Sequence, residues 1–261
     1  MSAAPSALTL PALPSFRLDG RQALVTGAGR GIGAAAAAAL AQAGAAVTLA
    51  ARSEDELQAV ATAIEKRGGR ATVLPLDVTD AGAVRARLAQ GDPFDILVNC
   101  AGTNRPALLA DTPDSDIEAV TALNLKATLY VTREVSRRMS AAGRAGSIIT
   151  VSSQMGHVGG PRRTLYCATK HAVEGMTKAL AWELGPKGIR VNTLCPTFIE
   201  TAMTADMFSD RDFREFVTSR IALGRVGQLS DIMGAVVFLA SDASAMVTGS
   251  ALMVDGGWTA V

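Results

Sequence analysis

The sequence predicts an α/β fold: a single doubly wound domain with a seven-stranded parallel sheet and helices on both faces. Three observations point to this class. Short β-rich runs alternate with helical patterns along the chain, several of these runs are continuously apolar, and a glycine-rich turn joins the first strand to the first helix. Continuously apolar strands are typical of parallel sheets covered on both faces, and the alternation favours one doubly wound sheet.

The individual elements follow from local patterns. The predicted strands cover residues 22–27 (QALVTG), 45–51 (AAVTLAA), 71–78, 94–102, 146–153, 189–196 and 251–257. Helical patterns lie between them at 31–43, 53–67, 80–89, 114–140, 164–184 and 230–240. Residues 197–228 fit this alternation poorly. An insert of that length after a strand, at the ligand end of a parallel sheet, predicts a lid.

Composition narrows the classes of function. A chain of 261 residues can bury the core of one large domain. With 19% charged residues and a formal net charge of +1, nothing electrostatic favours a nucleic-acid or membrane partner. The three cysteines show no CxxC or Cys/His metal spacing, so we expect buried free thiols, a reducing compartment and no metal site.

The N-terminal residues 1–16 contain three prolines and no basic residue before Arg17. They do not look like a signal peptide, and we expect a flexible arm there, followed by a catalytic domain at 17–261. The alanine-rich stretch 34–51 is too weakly apolar to span a membrane. A soluble, cytoplasmic protein is therefore expected.

The glycine-rich turn reads LVTGAGRGIG, with glycines at 27, 29, 31 and 33 between a strand and a helix. Glycines at that place let the backbone approach a pyrophosphate, which then lies on the helix N-terminus. The spacing is Gly-x-x-x-Gly-x-Gly after Thr26, not the GxGxxG fingerprint. The turn predicts a dinucleotide site; the alternative is an ordinary strand-to-helix connection.

Tyr166 and Lys170 lie four residues apart in a helical pattern, so they share one face. A tyrosine hydroxyl is a poor base at neutral pH, and a neighbouring cation stabilises its phenolate form. Such a pair could exchange a proton with a carbonyl or alcohol oxygen while a hydride moves. A Ser-His-Asp hydrolase is excluded, because the only histidines are His157 and His171 and no GxSxG motif exists.

These motifs together resemble the short-chain dehydrogenase/reductase family. The glycine turn, NCAG at 99–102, VSS at 151–153 and YCATK at 166–170 occur in the family's order from about residue 18 to the C-terminus. Two residues depart from the family's pattern. Cys100 stands where the family usually has the second Asn of NNAG, and Thr197 stands where it usually has Gly after the proline that ends the sixth strand. The resemblance implies a Rossmann fold, reversible hydride transfer between a nicotinamide cofactor and a carbonyl or secondary alcohol, and a homotetramer built on helices 114–140 and 164–184.

The resemblance also implies the catalytic residues. Tyr166 and Lys170 would transfer the proton, and Ser153 would orient the substrate oxygen from thirteen residues before Tyr166. Ser152 is the neighbour, but successive strand residues face opposite sides, so only one serine can point into the site. Asn124 would hold a water that links Lys170 to solvent; the alternative is a polar core position.

For the cofactor, Ala51 stands where NAD-preferring members carry an acidic residue, and Arg52 follows it. Two arginines, Arg30 and Arg52, favour the 2′-phosphate of NADP(H); the alternative is a solvated Arg52 and use of NAD(H). The cofactor-binding residues implied are Gly27, Arg30, Gly31, Ile32, Gly33, Arg52, Ser53, Asp77, Val78, Asn99, Ala101, Gly102, Tyr166, Lys170, Pro196, Ile199 and Thr201.

The resemblance implies that the loop between Ser153 and Tyr166 lines the substrate pocket. The substrate class is therefore inferred from the polar residues of this loop. Its polar candidates are Gln154, His157 and Arg163, with Arg162 beside the last. An arginine pair could grip the carboxylate of a keto-sugar acid, or both arginines could face solvent or another subunit. In the predicted lid, packing is the more common role for Met203, Met207, Phe208, Phe213 and Phe216.

Within the family, the chain is similar to gluconate and deoxygluconate dehydrogenases, chiefly through residues 164–201, and also to 3-oxoacyl carrier-protein reductases. The sequence therefore leaves a keto-sugar acid and a 3-oxoacyl thioester open as substrates. A non-catalytic dinucleotide-binding regulator is the alternative of another class. The complete set of Asn124, Ser153, Tyr166 and Lys170 speaks against that alternative.

Overall fold

The structure, a computed structural model, describes residues 10–260 except the side chain of Met203. Positions 1–9 of the predicted arm and residue 261 lie outside this range. The sheet has seven parallel strands in the order β3-β2-β1-β4-β5-β6-β7, which confirms the predicted fold class. The strands are β1 Gln22–Thr26, β2 Ala46–Ala51, β3 Arg70–Pro75, β4 Ile96–Asn99, β5 Gly146–Val151, β6 Ile189–Pro196 and β7 Ala251–Val254.

The helices follow the predicted pattern with one local irregularity. They are α1 Gly31–Gln42, α2 Glu54–Glu65, α3 Ala81–Leu88, α4 Asp114–Thr121, α5 Ala127–Ala141, α6 Thr164–Leu184, α7 Ala202–Ser209, α8 Arg211–Ser219 and α9 Leu229–Ala240. The helix predicted at 114–140 is present: it runs from Asp114 to Ala141 as α4, a wide π turn at Ala122–Lys126, and α5, with helical dihedral angles at both junctions. Apolar periodicity does not reveal the π turn.

Alternate residues of the central strands pack on opposite faces of the sheet. In β4, Ile96 and Val98 belong to the core formed with α1, α2 and α9, whereas Leu97 belongs to the core formed with α3, α5 and α6. In β5, Ile149 faces the first core and Ile148 the second. Because both faces are covered, the strands are apolar throughout, which is the pattern visible in the sequence.

The strand order places a crevice at the carboxyl ends of β1 and β4. The chain adds strands on one side of β1 as far as β3 and then crosses to β4 on the other side. Ligands of doubly wound sheets bind outside the strand ends where this reversal occurs. No helix within residues 10–260 is long and apolar enough to cross a membrane.

The segment 197–228, predicted as a lid, contains α7 and α8 and a small core of its own. Phe208, Val217, Ile221 and Val226 are buried together there. Phe198 packs between the rings of Phe208, Phe213 and Trp258, with centroids 6.2, 5.7 and 5.7 Å away. Phe208 and Phe213 therefore have the packing role expected of them. Phe216 is exposed and Met207 is half-buried.

Candidate active site

The glycine turn is closed so tightly that only glycine fits at two positions. A Cβ on Gly33 would lie 2.1 Å from the Gly27 carbonyl oxygen, and a Cβ on Gly27, where φ is +66°, would lie 2.8 Å from the Ala101 nitrogen. α1 begins at Gly31, and the Arg30 side chain makes no capping bond. The first amides of α1 are therefore free for an anion, so the turn fits the pyrophosphate of a dinucleotide.

The end of β4 lies against this turn. Thr26 Oγ1 accepts hydrogen bonds from the amides of Cys100 (3.1 Å) and Ala101 (3.3 Å). The amides of Cys100 and Ala101 thus bond to a side chain and not to a neighbouring strand. β4 therefore ends at Asn99 and not at 102 as predicted. Asn99 Nδ2 donates to Thr132 Oγ1 at 2.9 Å. Thr26 is thus a residue of the site that the sequence marked only as part of the glycine motif.

The three cysteines are free thiols, as expected. Only Cys195 is fully buried; Cys100 and Cys167 are half-buried, so the expectation that all three are buried is wrong. Burial raises the pKa of the Cys100 and Cys195 thiols to about 12. Cys100 therefore stands as an uncharged residue at the position where the family has its second Asn.

The carboxyl ends of β2 and β3 form the adenosine side of the crevice. Ser53 caps α2 by accepting from the Glu56 amide at 3.4 Å. Arg30 Nη1 lies 3.4 Å from Glu56 Oε1, so its charge is partly neutralised. The bonds from Thr79 to Asp77 hold the pKa of that carboxyl below its usual value, and the charge of Arg52 lowers it further.

Other predicted cofactor residues have mixed surroundings. Val78 is buried in the core beneath the crevice, so its side chain faces inward. Ile199 is buried just after β6, which ends at Pro196, and Ile32 is half-buried against the first core. Thr201, which begins α7, approaches the glycine turn. Its methyl carbon lies 3.8 Å from the position of a Cβ on Gly31.

Lys170 links Tyr166 to the sheet. Its Nζ donates to the Val151 carbonyl at 2.8 Å and lies 5.5 Å from the centre of the Tyr166 ring. Only 7% of Lys170 is exposed, so little water competes for its charge. A Cβ on Gly102 would lie 3.9 Å from Nζ, which places the NCAG segment beside the ammonium. The structure thus brings together the predicted Tyr-Lys pair and the wall of the cofactor crevice.

Ser153 and Ser152 differ in their contacts. Ser153 Oγ donates to Gln154 Oε1 at 2.7 Å and accepts from the Met155 amide at 3.1 Å. Ser152 Oγ is buried without a hydrogen-bond partner among the described residues. A Cβ on Gly156 would lie 2.9 Å from it, so the turn after β5 closes over Ser152.

Asn124 lies in the π turn and is 2% exposed. Its Oδ1 accepts from the Thr103 amide at 2.8 Å, and its Nδ2 donates to the Thr103 carbonyl (3.0 Å) and to Thr169 Oγ1 (3.1 Å). The side chain therefore joins the NCAG segment to the residue before Lys170. π turns are frequent at functional sites. Thr103 and Thr169 carried no signal in the sequence, because their contact with Asn124 is made across the fold.

The three predicted substrate residues do not form one group. Gln154 is buried and bonded to Ser153, whereas His157 contacts Glu174 and Cys195. Arg163 is only 8% exposed, and burial lowers the pKa of its guanidinium. The ionisable groups that act on it are Tyr166, Cys167 and Arg162, and no described carboxylate is among them.

Arg162, beside Arg163, has an unusual backbone. Its φ of +59° is the only positive value at a non-glycine residue in the described part of the chain. Such residues cost energy and cluster at functional sites. Its side chain is exposed, so of the predicted arginine pair one side chain is in solvent and the other is buried.

Comparison with known proteins agrees with this geometry. A family model described as enoyl-(acyl carrier protein) reductase matches residues 27–259. The gluconate 5-dehydrogenase of Gluconobacter oxydans is 39% identical over 248 residues, which are 94% of this chain and 96% of the relative. A 3-oxoacyl-(acyl-carrier-protein) reductase of Thermotoga maritima is 40% identical over 245 residues, 92% of this chain and 98% of the relative.

A solved structure agrees over the same length. The crystal structure of a gluconate 5-dehydrogenase from Burkholderia cenocepacia, in complex with NADP and tartrate, aligns with a TM-score of 0.91 at 38% identity. The alignment covers 95% of this chain and 99% of that one. These similarities agree with the parallel sheet, the glycine cradle and the Tyr166–Lys170 pair. They show that the chain belongs to the short-chain dehydrogenase/reductase family, whose members are NAD(P)-dependent oxidoreductases acting on carbonyl and CH–OH groups.

Proposed function

We propose that the protein interconverts a ketone and a secondary alcohol on a small carboxylate-bearing substrate of the keto-sugar-acid type, with NADP(H) as the preferred cofactor. The observation that carries the substrate class is Arg163. The residue is only 8% exposed, its guanidinium has no carboxylate partner among the described residues, and it lies three positions before Tyr166. A buried cation is costly unless it is paired, and a substrate carboxylate would pair with it in bidentate fashion.

The chain's own residues would divide the chemistry as follows. The bound nicotinamide supplies the hydride for reduction or accepts it in oxidation. The Tyr166 hydroxyl gives its proton to the carbonyl oxygen in reduction and takes it back in oxidation. Lys170, held by the Val151 carbonyl, stabilises the phenolate left on Tyr166. Ser153 would hold the substrate oxygen, with Gln154 fixing the serine hydroxyl.

Asn124 has two roles in this proposal. Its bonds to Thr103 and Thr169 fix the backbone on both sides of Lys170 Nζ. Both Nδ2 hydrogens are used in these bonds, whereas Oδ1 keeps a second lone pair. A water on that lone pair could return protons from solvent to Lys170, as the family resemblance implies.

The preference for NADP(H) rests on Arg52. Replacing Arg52 with Ala should raise KM for NADPH by about 10- to 150-fold, the value of one hydrogen bond to a charged group. KM for NADH should change less than about threefold, since NADH lacks the 2′-phosphate. Initial rates with both cofactors on one ketone measure this.

Arg67→Ala is the matched control for Arg52→Ala, because Arg67 is exposed just beyond α2. It should leave both KM values unchanged. An enzyme that prefers NADH, or an Arg52→Ala variant with unaltered KM for NADPH, would contradict the assignment of the phosphate to Arg52. NAD(H) would then be the cofactor.

The substrate class is tested with Arg163→Met on a panel of keto-sugar acids, neutral keto-sugars and 3-oxoacyl thioesters. For keto acids kcat/KM should fall by about 10- to 150-fold, because the carboxylate loses its charged partner. For neutral ketones it should change less than about twofold. A loss that is equal for all substrates would mean that Arg163 acts through packing alone.

The control for Arg163→Met is Arg162→Asn, which removes the exposed neighbouring charge. Asn tolerates the left-handed backbone found at this position. The second candidate function is reduction of a 3-oxoacyl thioester, supported by the 40% identity to the Thermotoga maritima reductase. If thioesters are turned over faster than keto acids by the unchanged enzyme, that function replaces the first.

We also propose that residues 17–261 act as one catalytic domain in which 197–228 is a lid, and that four chains assemble. Trp182 on α6 is 86% exposed and Leu129 on α5 is 42% exposed. Both helices pack on the same face of the sheet, and exposed large apolar side chains on such a face are typical of an interface. Light scattering should therefore give four times the chain mass of 26.9 kDa; a monomer mass would contradict the assembly.

A further inference from the structure

Three potential metal ligands meet outside the Tyr-Lys pair. His157 Nε2 lies 3.4 Å from Glu174 Oε1 and 3.6 Å from Cys195 Sγ, and Sγ lies 3.3 Å from Oε1. The three residues come from the turn after β5, from α6 and from β6. Cys195 lies 21 positions after Glu174 and 38 positions after His157 along the chain. The sequence therefore shows no metal-binding spacing.

The triangle has the dimensions of a tetrahedral zinc site. With Zn–N, Zn–O and Zn–S bonds of about 2.0, 2.0 and 2.3 Å, the edges of a tetrahedron are about 3.3 Å for N–O and about 3.5 Å for both N–S and S–O. The observed edges of 3.4, 3.6 and 3.3 Å lie close to these values, so a metal ion needs only small side-chain shifts. The Cys195 thiol is within hydrogen-bond distance of Glu174 Oε1, but the His157–Glu174 distance of 3.4 Å is longer than the roughly 2.7–2.9 Å usual for a charged hydrogen bond.

The surroundings complete such a site. Thr193 Oγ1 donates to the other carboxylate oxygen, Glu174 Oε2, at 2.9 Å, which is how outer-shell groups orient metal ligands. Ser152 is 2% exposed, and its Oγ lies beside the Cys195 thiol, near enough to act on the thiol as a hydrogen-bonding group. It has no well-aligned hydrogen-bond partner in the described chain, so the hydroxyl is available as a fourth ligand or as a partner of a metal-bound water.

Charge balance favours a divalent cation. Glu174 is 6% exposed, and among the described residues no lysine or arginine forms an ion pair with it; its one basic neighbour is His157. Once the thiol proton has left on binding, the Glu174 carboxylate and the Cys195 thiolate carry two negative charges, which a dication neutralises. Mixed N, O and S ligands in tetrahedral array suit Zn²⁺ better than Mg²⁺ or Ca²⁺, which take oxygen ligands in higher coordination.

We propose that His157, Glu174 and Cys195 form a tetrahedral site for a divalent transition metal of the Zn²⁺ type, with Ser152 Oγ or a water as the fourth ligand. On binding, the thiol proton leaves to solvent and the sulfur bonds to the metal; no electron is transferred. The metal would join the turn at 154–157 to α6 and β6, one helical turn beyond Lys170. It would therefore hold the backbone after Ser153 in place and stabilise the fold.

The test uses tag-free full-length protein, stripped with a chelator and titrated with Co²⁺. A tetrahedral thiolate site should give a sulfur-to-cobalt charge-transfer band and strong visible bands that saturate at one ion per chain. Zn²⁺ should displace Co²⁺ and raise Tm by about 5 °C or more at a hundredfold excess over Kd. Absence of a saturable cobalt spectrum in the unchanged protein would overturn the proposal, whatever the variants do.

The chain offers matched controls. Cys195→Ser should abolish the charge-transfer band, and His157→Gln and Glu174→Gln should weaken Co²⁺ binding by at least about tenfold, the lower end of the loss seen when even an outer-shell partner is removed. Cys167→Ser and His171→Gln replace a cysteine and a histidine of α6 that lie outside the site. His171 Nδ1 contacts the Cys167 carbonyl. Both variants should bind Co²⁺ like the unchanged protein. A band that survives in Cys195→Ser but disappears in Cys167→Ser would also overturn the site.

Discussion

Replacing Tyr166 with Phe should lower kcat for carbonyl reduction by about 10²- to 10⁴-fold, the usual contribution of a positioned general acid. The substitution removes one hydroxyl from a half-buried ring that lies 5.5 Å from the Lys170 ammonium. It leaves that ring and the glycine cradle in place. KM and the affinity for NADPH should therefore change little, and the melting temperature should stay within a few degrees. Steady-state kinetics and cofactor fluorescence measure these quantities.

The control is Tyr130→Phe, which changes the chain's only other tyrosine. Tyr130 lies on α5 with the Arg133 guanidinium 5.8 Å from its ring centre, away from the proposed proton transfer. Turnover should stay at the level of the unchanged enzyme. A Tyr166→Phe variant that keeps more than a tenth of the original kcat would sink the proton-transfer role, and a non-catalytic site would have to be considered.

Replacing Lys170 with Met should reduce kcat for alcohol oxidation and for carbonyl reduction by about 10²-fold or more. The substitution removes the cation that lies 5.5 Å from the centre of the Tyr166 ring, so the negative charge that develops on the Tyr166 oxygen loses its neighbouring ammonium. Lys170→Arg keeps a positive charge at this position and should retain more of the original kcat than Lys170→Met. Steady-state kinetics in both directions measure the two variants.

Met preserves the length of the buried lysine stem, but it leaves the Val151 carbonyl without its 2.8 Å donor. Some loss of stability is expected from this, of about 1–3 kcal/mol, so the activity of the Met variant alone does not separate the two roles. The comparison with Lys170→Arg does. Lys178→Met, at an exposed position two turns further along α6, should leave kcat unchanged. A folded Lys170→Arg variant that is no more active than Lys170→Met would mean that Lys170 acts only by holding α6 to the sheet.

Local patterns in the sequence were sufficient for much of the architecture. All seven strands overlap the predicted runs, and in the central strands β1, β4, β5 and β6 the continuous apolar composition reflects burial on both faces. The four-residue spacing of Tyr166 and Lys170 placed both on one side of α6 because a helix repeats every 3.6 residues. The positive φ angles at Gly27 and Gly31 agree with the turn that their spacing predicted.

What the sequence did not show lies where contacts cross the fold. The helix predicted at 114–140 contains a π turn at Ala122–Lys126, whose Asn124 bonds to Thr103 and Thr169. The strand predicted at 94–102 ends at Asn99, where Thr26 accepts hydrogen bonds from the next two amides. In both cases the bonded partners are distant along the chain, and no local periodicity records such contacts.

The order and spacing of residues thus predict the fold class, the glycine cradle and the pairing of Tyr166 with Lys170. Each of these depends on residues that are close together along the chain, within one turn or one strand. The anchoring of Lys170 on Val151, the burial of Arg163 and the meeting of His157, Glu174 and Cys195 depend on how α6 packs against β5 and β6. Packing brings together residues whose separation along the chain carries no regular period. For that reason the reaction class could be predicted from the sequence. The burial of Arg163, which suggests a site for a substrate carboxylate, and the candidate metal site became visible only in the tertiary structure.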